Sequence, residues 1–101
     1  MDDEIQKKLQ EFHEYNDQAR KHFRAYELKP GEPLHVHTEA DLMQYSKWRT
    51  KADIALNEFH LLLMDRHPGK LPWSTEQIEH QNKELHDKLA KAESWLKSHN
   101  I

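Results

Sequence analysis

Apolar residues recur along this chain at alternating spacings of four and three. From Asp2 to Leu28 the series is Ile5, Leu9, Phe12, Asn16, Ala19, Phe23 and Tyr26. From Glu39 to Arg66 it is Tyr45, Trp48, Ala52, Ala55, Phe59 and Leu62, with Leu56 and Leu63 widening the stripe. From Thr75 to His99 it is Ile78, Asn82, Leu85, Leu89, Ala92 and Leu96. This spacing gathers each set on one side of an α-helix, like a coiled-coil seam. The strong breakers lie between the three series, in "KPGEP" (Lys29 to Pro33) and "HPGKLP" (His67 to Pro72). Short connections make successive helices antiparallel neighbours. The pattern predicts an all-α, up-down-up three-helix bundle in one domain over 1–101, with long helices near 2–28, 39–66 and 75–99.

The helix ends carry matching signals. Thr38 stands where an N-cap is needed, with Asp41 three residues on. Ser74 and Gln77 form a capping box, flanked by Trp73 and Ile78 at the positions of a hydrophobic staple. Asp2, Asp3 and Glu4 open the first helix, and Arg20, Lys21 and Arg24 lie near its end, both favourable to the helix dipole. The predicted core is Phe12, Phe23, Trp48, Phe59, Leu62, Leu85, Leu89 and Leu96. Asn16 and Asn82 interrupt apolar seams. An amide in such a seam can fix register at a cost in stability, so Asn16→Leu is expected to stabilise the protein while loosening its specificity.

The second helix has more apolar residues than one core face needs. Met43, Ile54 and Leu61 lie opposite its main stripe, with Thr50 between them, Met64 to one side, and Lys47, Glu58 and Asp65 as a charged rim. In a simple three-helix monomer this set points at water. Aligned exposed apolar residues mark a contact surface more often than isolated ones do, so the stripe is expected to pack on a second copy or a protein partner. The competing expectation is that the first and third helices straddle the second and make both of its faces core.

Composition narrows the chemistry. Charged residues make up 33% of the chain, the mean hydropathy is −1.11, and the net charge is −3 with pI about 6.3. The basic residues are scattered among acids, which argues against a nucleic-acid footprint. With no cysteine there is no disulfide, thiolate zinc site or cysteine nucleophile, and a cytoplasmic location is favoured. The start of the chain lacks the apolar stretch of a secretory signal, and no run approaches the ~18 apolar residues of a membrane span. Two glycines, both in linkers, leave no phosphate-cradling loop, and there is no nucleophile elbow.

The nine histidines are the remaining candidates. His35 and His37 face the same way if their stretch is extended, and Glu32 or Glu39 could add a carboxylate. A zinc site wants about four ligands, and no second cluster has ligand spacing. The pair therefore reads first as linker leading into the Thr38 cap, and only secondarily as metal ligands. The one Glu-x-x-His, Glu32 to His35, is broken by Pro33 and fails as a di-iron pattern. His86-Asp87 stands alone. The expectation is a small non-enzymatic interaction module without a cofactor, of the regulator, inhibitor or adaptor kind frequent among small bacterial and phage proteins. The alternatives are a histidine-based metal- or ligand-binding bundle and, third, a nucleic-acid-associated helper.

Overall fold

A computed structural model describes residues 3–23 and 39–100. They form three helices and, among the described residues, no strand: α1 (Asp3–Phe23), α2 (Glu39–Arg66) and α3 (Thr75–Ser98). The expected extension of α1 to residue 28, the Thr38 cap and the pair His35 and His37 lie outside the described residues, as does the Phe23 side chain.

The joint between α2 and α3 follows its sequence signals. His67 N–H donates to Leu63 O at 2.9 Å, and Lys70 N–H returns to His67 O at 3.3 Å. Gly69 takes φ +76°, a left-handed conformation that glycine reaches without steric cost. Ser74 is extended (φ −93°, ψ 126°), and its Oγ accepts from Gln77 N–H at 3.4 Å, as an N-cap does. Past α3, Asn100 adopts φ 58°, a left-handed ending that asparagine tolerates.

Cross-helix pairs show that α1 and α2 are antiparallel. Glu4 meets Arg66 at 3.4 Å, Lys8 meets Glu58 at 2.6 Å, and Asn16 Oδ1 accepts from Arg49 Nη1 at 2.7 Å. On the other side of α2, the His60 ring stacks on Trp73 at 4.3 Å, just before α3 begins. The fold is an all-α, antiparallel three-helix bundle with α2 at its centre. α1 and α3 each pack on α2, and among the described residues they do not pack on one another. The apolar residues of α2 are spread almost evenly around its axis, as suits a helix with neighbours on two sides.

Among the described residues, the buried apolar ones are Ile5, Ala19, Ala52, Ile54, Ala55, Ile78, Ala92 and Leu96. This corrects the sequence-based core. Of the expected residues only Leu96 is fully buried; Phe12, Trp48, Phe59, Leu62, Leu85 and Leu89 are half-buried. Four of the eight buried residues are alanines. A methyl group at the line of contact lets helix backbones approach, and the long neighbours then drape over the flanks.

Asn16 also departs from expectation. It is half-buried and bonded to Arg49, so Asn16→Leu would remove a link between α1 and α2 rather than relieve a buried amide. Asn82 is closer to the seam reading: its Oδ1 is buried without a hydrogen-bond partner.

Leu96→Ala should cost ~2–5 kcal/mol, and the half-buried Leu89→Ala about half of that or less. Urea denaturation of both variants measures this. An equal loss at the two positions would contradict an alanine-lined core with draped flanks.

Candidate docking trough on the central helix

Three adjoining depressions run along α2, with residues of α1 and α3 as their walls. The first, about 340 Å³, has Ile54, Ala55, Lys51 and Glu58 of α2 as its floor, Lys8, Glu11 and Tyr15 of α1 on one side, and His86 and Leu89 of α3 on the other. The second, about 450 Å³, shares Lys8, Glu11 and Glu58 with the first and adds Leu61, Leu62 and Asp65. The third, about 560 Å³, shares Leu61 and Asp65 and extends past Met64 to Trp73, Thr75 and Glu79. Shared lining residues make the three one continuous trough.

The trough gathers much of the second apolar stripe of α2. Ile54, Glu58, Leu61, Met64 and Asp65 all line it. The stripe does not, however, point at open water along its whole length. Ile54 is only 6% exposed and Thr50 only 1%, so at these two positions the expected exposed face is core. The physical reason is the straddled arrangement, with α1 and α3 flanking α2. Met43 and Lys47 are half-buried and do not line the depressions; the Lys47 ammonium lies 5.0 Å from the Trp48 ring centroid. Asn16 and Asn82 lie outside it as well, on α1 and α3.

The α1 wall comes from residues that the sequence did not single out, Lys8, Glu11 and Tyr15, while Leu89 on α3 was expected as core. A periodicity assigns residues to a helix face but does not say where two neighbouring helices leave a gap.

The polar groups of the trough are largely engaged with one another. Lys8 Nζ lies 2.6 Å from Glu58 and 3.2 Å from Glu11. The hydrogen bond to Glu58 is the main reason that the Lys8 pKa is raised, so this amine stays charged at any physiological pH. The Lys51 ammonium sits over both the Trp48 ring, at 4.8 Å, and the Tyr15 ring, at 5.7 Å. Such cation–π contacts tie α1 to α2. Asp65 pairs with Arg66 at 2.6 Å. Elsewhere on α2, the Thr50 hydroxyl is buried with no hydrogen-bond partner.

Among the described residues, no group of three or more His, Asp or Glu side chains is placed to hold a metal ion. His80 pairs with Glu84 at 3.1 Å on the outer face of α3. His60, stacked on Trp73, has its pKa lowered by burial.

A buried hydroxyl without a partner is costly, so Thr50→Val should raise stability by about 1 kcal/mol. A loss on thermal denaturation would mean that the hydroxyl makes a bond. His60 supplies a pH dependence. Burial holds its folded pKa below the ordinary 6.5, so its contribution is intact above that pH. As pH falls through 6.5, the unfolded chain takes up a proton that the folded chain resists, and stability drops. Over that range the wild type should lose stability relative to His60→Phe; parallel curves would refute the effect.

Comparison with known proteins adds no relative: no family model matches the chain, and neither curated proteins nor solved structures give a match.

Proposed function

We propose that this protein is a non-enzymatic interaction module of the regulator, inhibitor or adaptor type, working in the cytoplasm without a cofactor, that docks on another protein surface through the trough of α2. One observation carries the reading. Leu61, Leu62, Met64 and Leu89 remain half-buried around a continuous trough, while the exposed residues of α1 and α3 are polar apart from Leu9 and Ala90. An apolar strip rimmed by charged groups has the anatomy of a protein interface. The polar residues there also favour binding over catalysis. Lys8, Glu11, Glu58 and Lys51 are committed to one another or to ring faces, rather than aligned on a reacting atom. No helix among the described residues is long and apolar enough to cross a membrane, which is compatible with docking from solution.

A photo-crosslinking amino acid at Met64 tests this in cells. It should form a discrete protein adduct, whereas the same group at Lys83, on the exposed side of α3, should not. Absence of an adduct at Met64, or equal labelling at both sites, would overturn the reading.

A further inference from the structure

We draw no further inference here: the strongest candidate, the apolar trough along α2 between α1 and α3, belongs to the docking surface already described, and nothing in the structure shows what covers it.

Discussion

One helix has to serve two neighbours, and the rest of the architecture follows from that. α1 and α3 each pack on α2, and among the described residues neither packs on the other. A surface helix can keep one polar face, but a central helix cannot. The even spread of apolar residues around α2 is the sequence counterpart of this constraint. The polar and charged residues that remain on α2 sit at its flanks, where they reach across to the outer helices. Glu58 takes Lys8, Arg49 takes Asn16, Arg66 takes Glu4, and Lys51 lies on Tyr15. Partly exposed pairs of this kind contribute little stability, typically under about 1 kcal/mol each. They do discriminate among azimuths, because rotating α1 about its axis would break several together.

The size of the buried residues follows from the same crossing geometry. Ala19, Ala52, Ala55 and Ala92 are at most 2% exposed, while Phe12, Trp48 and Phe59 remain half-buried. A small side chain can be covered completely by a neighbouring helix. An aromatic ring near the same contact has to lie along the flank, where only one of its sides is covered. Hydrophobic stabilisation here is therefore distributed over many partial burials. Two groups run against it: the Thr50 hydroxyl and the Asn82 Oδ1, both buried without partners. In a small core, a penalty of ~1–3 kcal/mol for each is a considerable fraction of the total.

Much of the fold was legible in the sequence because breakers and caps act locally. The Pro68-Gly69 pair and the Ser74-Gln77 box place the α2–α3 joint, and the spans of α2 and α3 follow the apolar periodicity closely. Burial was less legible because it depends on partners. The seam rule favoured Phe59 and Leu89 for their size and passed over Ala52 and Ala55, which lie on the same stripe. Asn16 has the right spacing for a seam amide, yet Arg49 lies within reach and draws its oxygen into a cross-helix bond. The second stripe of α2 was visible as a set of residues, and its competing interpretations were both partly physical: Thr50 and Ile54 are core, whereas Leu61 and Met64 line a trough. No one-dimensional pattern separates these outcomes, since the difference lies in how far apart α1 and α3 stand.

That separation is also what ties the fold to the proposed role. If α1 and α3 met, Leu61, Met64 and Leu89 would be closed into an ordinary bundle core. Because they do not, the apolar content of α2 exceeds what two neighbours can cover, and the remainder is aligned in a trough rather than scattered. Scattered apolar residues cost a soluble surface little, but an aligned strip is a standing liability for non-specific association. The charged lining residues Lys8, Glu11, Glu58 and Lys51 limit that liability, since a partner must displace or match fixed charges. Charges of this kind add modestly to affinity and strongly to selectivity. On the proposed docking reading, the same helix that organises the fold thus presents an apolar strip for association and a rim that restricts the partners able to use it.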